Sequence, residues 1–300
     1  MYVQIKSVAD GIARISLSNP KMNVLSNQVK RELKDVFSRV SQDSNVRVIV
    51  FAAEGPHFCC GADMKEFPER IENKASGKAW DEGHLMLRSI LNAPQPTIAC
   101  IQGNALGGGA ELAVAFDFRI FAENAQIGFP EVTRGVFPGN GGLERMIDIA
   151  GSGHAMKLMV TGSVIQAAEA KSIGMATEIV PAERLAEAVE ELAQRLASLP
   201  AAAVQAAKRA VNQYLGSKHD FDAFGRGLFQ QVHETDDVRE GVNAFFLKNA
   251  SLYLSIVNKK ASTGRDRLEY MGMFETNLRY GRENQAGKRE YRGRSGELDY

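Results

Sequence analysis

The chain reads as an α/β fold followed by a helical C-terminal region, and three observations carry that reading. Short β-branched or alternating apolar runs are interleaved with amphipathic segments through the first half. Three consecutive glycines, Gly107 to Gly109, open an apolar segment midway. From Gly141 onward helical periodicity takes over. At 300 residues and 44% hydrophobic content the chain can bury a large core, as one α/β unit with an appended segment or as two domains.

Each element has a local cause. Ile12 to Leu17 is predicted as a strand by its alternation. Ser26 is a candidate N-cap for a helix through about Val40, with Val29, Leu33 and Phe37 on one face. Val46–Ala52 and Pro96–Ile101 are apolar strands, and Lys78–Leu91 between them reads as a helix. After the glycine-led helix, Arg119–Ala122 and Gln126–Phe129 read as short strands. Helices are predicted over Ala182–Leu199, Ala201–Leu215 and Phe221 to about Leu247, and Pro200 separates the first two. From 259 to 300 there are ten Lys/Arg against seven Asp/Glu and few aliphatics, which predicts a charged, partly disordered extension.

Composition excludes several classes of function. Acidic and basic residues balance at 36 each, so no global field favours nucleic acid or an anionic membrane. Cys59, Cys60 and Cys100 are odd in number, two of them adjacent, which fits neither a disulfide framework nor a zinc site and points to a reducing compartment. The start lacks the basic and apolar regions of a signal peptide and no run is long enough to span a bilayer, so the cytoplasm is expected. Gly-x-Ser-x-Gly, Gly-x-Gly-x-x-Gly and P-loop signatures are missing, and the five histidines lack metal spacing.

The chemistry concentrates in Asn104-Ala-Leu-Gly-Gly-Gly-Ala-Glu111-Leu-Ala-Val-Ala-Phe-Asp117. Glycines at a helix start leave backbone N–H groups open, and the helix dipole favours negative charge there. Glu111 follows directly, flanked by apolar residues and with no cation nearby in sequence. A first-turn glutamate at the surface is the ordinary alternative; a buried, partnerless one has a task. Two further segments complete a site. Phe58-Cys-Cys-Gly61-Ala62-Asp63-Met64-Lys65 is a small-residue turn with approachable backbone. Phe129-Pro-Glu131-Val-Thr-Arg134-Gly-Val-Phe-Pro-Gly-Asn140-Gly-Gly142 brings a second glutamate in a Pro/Gly-rich loop.

In order and spacing these three motifs resemble those of the crotonase (enoyl-CoA hydratase/isomerase) superfamily, and the resemblance runs from about Ile12 to Phe246. It implies a crotonase-type (ClpP/crotonase) spiral of ββα units with a helical C-terminal region. The divisions it implies are a core over 1–195, a helical trimerisation region over 196–256 and an extension over 257–300. It implies an acyl-CoA thioester as substrate, with no separate cofactor and no metal, in a homotrimer or hexamer. The Ala62 and Gly108 N–H groups correspond to the family's oxyanion hole. Glu111 and Glu131 correspond to the two acids of its hydratases, Glu131 donating to Cα and Glu111 orienting and activating water. Lys21, Val24, Asp63, Met64 and Lys65 correspond to coenzyme A contacts. Of the basic cluster that hydratases carry near the C-terminus only Lys248 remains.

Rival readings keep the fold and change the reaction. Glu131 alone suits isomerisation, and lyase or thioester hydrolase chemistry uses the same scaffold. Arg134 stands where hydratases carry small or apolar residues; an external loop cation is the ordinary reading, and a guanidinium beside the acyl pocket, favouring a substrate with a second polar or carboxylate group, is the alternative. A non-catalytic RNA-binding homologue finds support only in the +3 balance of residues 259–300.

Overall fold

The computed structural model describes residues 1–199 and 201–216, with residues 230, 233, 234, 238, 239, 242 and 243. The chain divides into two compact units, Met1–Asn243 and Ala244–Tyr300. The structure described below belongs to the first. The charged extension and Lys248 lie outside the described residues, as does most of the expected helix from Phe221.

Two sheets form the framework. The larger has the order β1 (Val3–Ala9), β2 (Ile12–Leu17), β3 (Val48–Ala53), β4 (Thr97–Ile101), β6 (Phe118–Ala122), β9 (Glu178–Val180). Strands β1 and β2 pair antiparallel through an Asp10-Gly11 turn with both residues at positive φ, the geometry a two-residue hairpin requires. All later pairings in this sheet are parallel. Its central strands are near-continuous apolar runs, with Ile49, Phe51, Ile98, Ile120 and Phe121 fully buried, as parallel strands covered on both faces must be. The smaller sheet runs β5 (Ala105–Leu106), β7 (Gln126–Gly128), β8 (Val164–Gln166).

Helix α1 (Asn27–Ser41) is capped as expected, Ser26 Oγ accepting the Val29 N–H at 3.2 Å, and it packs on α3 (Ser76–Leu91). Helices α2 (Phe67–Glu72), α4 (Gly108–Val114), α5 (Leu143–Thr161), α6 (Ala167–Ser172), α7 (Leu185–Ser198) and α8 (Ala201–Gly216) follow. Residue 195 lies inside α7, which packs on β2, β3, β4 and β6. Helix α8 is tied to the sheet by Lys208, whose Nζ lies 2.6 Å from Asp117 Oδ2 and donates to Gln95 O at 2.9 Å. Both α7 and α8 belong to the first unit.

An aromatic cluster sets the two chain segments on which the site is built. Phe51 of β3 stacks on Phe116 at 5.3 Å and meets Phe58 edge-on at 5.7 Å, with Phe37 of α1 at 5.8 Å from Phe116. Phe58 begins the Gly61-Ala62 turn and Phe116 ends the glycine-led helix. Their burial holds those segments together, and backbone hydrogen bonds from Cys59 N–H to Asn104 O and from Leu106 N–H to Cys59 O set their register.

Candidate active site

The glycine triplet is required by close approach. A Cβ on Gly109 would stand 1.9 Å from the Cys59 carbonyl oxygen, so only glycine lets α4 begin against the Cys59–Ala62 segment. A Cβ on Gly107, at φ +55°, would stand 2.8 Å from Glu131 Oε1. On Gly108 it would meet Asn140 Nδ2 at 2.7 Å and the Ala62 nitrogen at 3.7 Å. Each glycine faces a different segment, and the start of α4 is where Glu131, Asn140 and the Gly61-Ala62 turn converge.

Glu111 is fully buried. The expectation that it lacks a partner is corrected by the loop after Glu131. Asn140 N–H donates to Oε1 at 2.9 Å, Asn140 Nδ2 to Oε2 at 2.8 Å and Gly142 N–H to Oε1 at 3.1 Å. These partners lie 29 to 31 positions away, which is why local sequence showed none. Three N–H donors suit a carboxylate, which only accepts. Glu111 is also not far from charge of the opposite sign. Lys30, buried on the inner face of α1, feels Glu111, Glu66 and Glu82, yet burial is the larger influence, followed by Arg70, and its pKa falls to about 8.

Glu131 keeps one carboxyl oxygen without a partner, its own backbone N–H reaching the carboxyl group. It sits in a one-turn 3-10 helix, Pro130–Arg134. Part of the residue reaches solvent, but Oε2 is buried without a hydrogen bond. Burial first, then the charge of Glu111, push its pKa up to about 8. At neutral pH Glu131 holds its proton mostly in place, beside a Glu111 whose oxygens are filled with donors.

Across from these acids, the Ala62 and Gly108 N–H groups find no acceptor among the described residues. The two nitrogens belong to segments in close contact, since a Cβ on Gly61 would lie 3.6 Å from the Gly108 nitrogen and one on Gly108 3.7 Å from the Ala62 nitrogen. Gly61, at φ +93°, gives its carbonyl to the Leu25 N–H at 2.8 Å, and Cys60 N–H donates to Met22 O at 3.0 Å. These bonds lay the Lys21–Leu25 loop along the Gly61–Lys65 turn. Val24, Asp63 and Met64 are thereby neighbours, and Lys21 and Lys65 stand exposed on the same two segments. Arg134 lies on the Glu131 side: its Nη1 turns toward Pro130 O at 3.5 Å and Thr133 Oγ1 at 3.4 Å, and its charge acts on Glu131.

The family model for enoyl-CoA hydratase/isomerase matches residues 7–253. The chain belongs to the enoyl-CoA hydratase/isomerase family. Among similar family members, a probable enoyl-CoA hydratase of Rhizobium meliloti is 36% identical over 244 residues, covering 79% of this chain and 92% of the relative. A crotonyl-CoA hydratase of Syntrophomonas wolfei is 34% identical, covering 81% and 95%. The crystal structure of an enoyl-CoA hydratase from Bacillus anthracis superposes with a TM-score of 0.67 at 34% identity, over 83% of this chain and 98% of that one. The fold is that of the enoyl-CoA hydratases, the crotonase-type spiral.

Burial decides against nucleophilic chemistry at the thiols. The Cys59 thiol is pushed up to about 12, and Cys60 and Cys100 to about 11, so none is a thiolate at neutral pH. Two charged residues went unmarked in the sequence. Lys30 stands one place after Val29 on the apolar face of α1, a visible signal of burial. Arg70, 6% exposed on α2, follows a proline-led turn with no periodicity to place it.

Proposed function

We propose that the protein is an enoyl-CoA hydratase, adding water across the 2,3 double bond of a 2-enoyl-CoA thioester to give the 3-hydroxyacyl-CoA. The observation that carries this reading is the unequal pair of acids around Gly107–Gly109: Glu111 filled with three N–H donors, Glu131 with one oxygen unbonded and raised to about 8 by burial. Such a pair supplies one acceptor and one donor at the same pH.

In this reading the thioester oxygen accepts from the Ala62 and Gly108 N–H groups. Both donors strengthen as the enolate forms, and losing one costs about 10²–10³ in rate. A water between the carboxylates adds to Cβ and passes its proton to Glu111. Glu131 gives its own proton to Cα as the enolate collapses. The proton on Glu111 then returns to Glu131, by way of solvent, for the next turnover. Coenzyme A is part of the substrate, with Lys21 and Lys65 as its phosphate partners and Val24, Asp63 and Met64 along its path; no cofactor takes part. The family resemblance supports a homotrimer or hexamer, the free cysteines a reducing, cytoplasmic setting, and the balance of 36 acidic and 36 basic residues neither nucleic acid nor an anionic membrane as partner. Among the described residues no helix is long and apolar enough to cross a membrane.

Incubation with crotonyl-CoA in heavy water, followed by mass spectrometry, tests the reading. The expected product is 3-hydroxybutyryl-CoA with one deuterium on Cα. Deuterated enoyl-CoA without hydration would replace hydration by isomerase-type proton shuttling through Glu131.

A further inference from the structure

The loop that holds Glu111 is laid along one face of α3 at three successive points. Phe137 meets the Trp80 indole, ring centroids 6.4 Å apart. Asn140 crosses at Gly83, where a Cβ would stand 2.8 Å from Asn140 Cα. Gly141 lies on His84: a Cβ on Gly141 would stand 2.7 Å from the ring Cδ2, with Nε2 at 3.0 Å and Cγ at 3.1 Å. An approach along the ring edge would leave the atoms flanking Cδ2 well behind it. These nearly equal distances place Gly141 over the face of the imidazole. Residues 80, 83 and 84 share a face by helical spacing, so one stripe of α3 makes the whole seat.

The imidazole is held in its own right. Its Nδ1 lies 2.9 Å from the Trp80 carbonyl oxygen one turn back, and because a carbonyl only accepts, Nδ1 carries the proton and donates. The Trp80 indole, 2% exposed, stacks on the imidazole with centroids 4.2 Å apart and planes 28° from parallel. The loop, by contrast, is soft by composition. Gly139, Gly141 and Gly142 surround Asn140, and glycine has the greatest backbone freedom. Gly141, at φ +97°, stands between the two residues whose N–H groups make all three bonds to Glu111. A ring fixed on a helix thus bears on the midpoint of the grip.

We propose that His84 is a positioning residue for hydration: its imidazole face is the plate against which the Asn140–Gly142 loop is held while it grips Glu111. His84 acts through Gly141 and not on the reacting atoms. The role in turnover rests on the hydratase reading; the role in holding the loop does not.

The test measures kcat and KM for crotonyl-CoA in His84→Ala and His84→Phe, each in wild-type and Glu111→Gln backgrounds. Backbone hydrogen exchange of the same proteins is followed by mass spectrometry. His84 is half-buried and alanine is the best helix former, so α3 should survive the change. His84→Ala should lower kcat about 10- to 100-fold at nearly constant KM, the cost of a carboxylate misplaced by about 1 Å. Exchange should quicken in the peptide carrying residues 139–142 and stay unchanged in β3 and β4. His84→Phe keeps a flat ring over Gly141 and should recover part of the loss. In Glu111→Gln, His84→Ala should take nothing further, since its effect passes through that carboxylate. An unchanged kcat in His84→Ala overturns the inference, as does an equal loss in the Glu111→Gln background, a Phe variant as slow as the Ala one, or quickened exchange spread through the sheet. If the wild type hydrates no enoyl-CoA, the hydratase reading fails alone. Exchange then decides the seat, quickening confined to 139–142 upholding it and unchanged exchange overturning it.

Discussion

Asn140 grips Glu111 from two sides, its backbone N–H on Oε1 at 2.9 Å and its side-chain amide on Oε2 at 2.8 Å. The amide itself is wedged between glycines: a Cβ on Gly83 would lie 2.6 Å from Asn140 Oδ1, and one on Gly108 2.7 Å from Nδ2. Glu111 is thereby fixed by a residue that α3 and α4 fix in turn, the kind of support a reacting carboxylate needs to hold one geometry.

Replacing that grip tests its function. Asn140→Ala leaves both backbone donors on Glu111 and removes one, so kcat should fall by about 10- to 100-fold with KM changed little. Asn140→Asp sets a second carboxylate against Glu111 and should cost more. Steady-state kinetics separate the two parameters, and an unchanged kcat in Asn140→Ala would show that Asn140 does not position Glu111.

The close approach at Gly109 predicts a stability effect. In Gly109→Ala the new methyl would meet the Cys59 carbonyl oxygen at 1.9 Å, so backbone must move. A loss of about 3 kcal/mol or more is expected, larger than most single substitutions cause. Urea unfolding of the variant measures it. Gly153→Ala, with nothing within 4 Å of its Cβ, should be neutral or slightly stabilising by comparison.

Glu131 and Lys30 both sit near pKa 8, and their pH signatures differ in sign. Folded Glu131 keeps its proton up to about 8, against an ordinary value of 4.5, so the folded state binds more protons in that window. Stability should therefore fall as pH rises from 4.5 to 8 on its account. Folded Lys30 gives up its proton near 8 rather than 10.5, so its contribution raises stability between those values. Hydration depends on protonated Glu131, so kcat/KM should fall as pH rises through about 8. The fall should persist in Lys30→Met, which identifies its origin. A pH profile made flat by Lys30→Met would assign the break to the lysine instead.

Much of this architecture was visible in the residues, because its causes are local or compositional. The Ser26 cap, the apolar run through Phe51 and the glycine triplet each announce themselves within a few positions. Strands β8 and β9 did not, since three residues are too few to establish a period. Strand β1 passed unremarked although the Asp10-Gly11 turn beside it is a hairpin signal. At the site, the motifs mark Glu111, Glu131, Ala62 and Gly108, and the fold brings these segments together at the start of α4. The state of the acids is not marked in them. It depends on which carboxyl the Asn140 loop reaches, a contact 29 residues long in sequence. Arg70 was hidden for the same reason, its surroundings being built by α2, the loop at Val136 and residues near 238.

The measurement that bears most directly on the division of labour between the two acids is turnover of crotonyl-CoA by Glu131→Gln in heavy water, beside wild type and Glu111→Gln. Glu131→Gln should give no Cα-deuterated product and lose at least about 10²-fold in kcat. Glu111→Gln should cut hydration severely while acyl-CoA binding stays nearly intact. A Glu131→Gln protein that still hydrates at the wild-type rate and delivers deuterium to Cα would contradict the assignment of Glu131 as the proton donor.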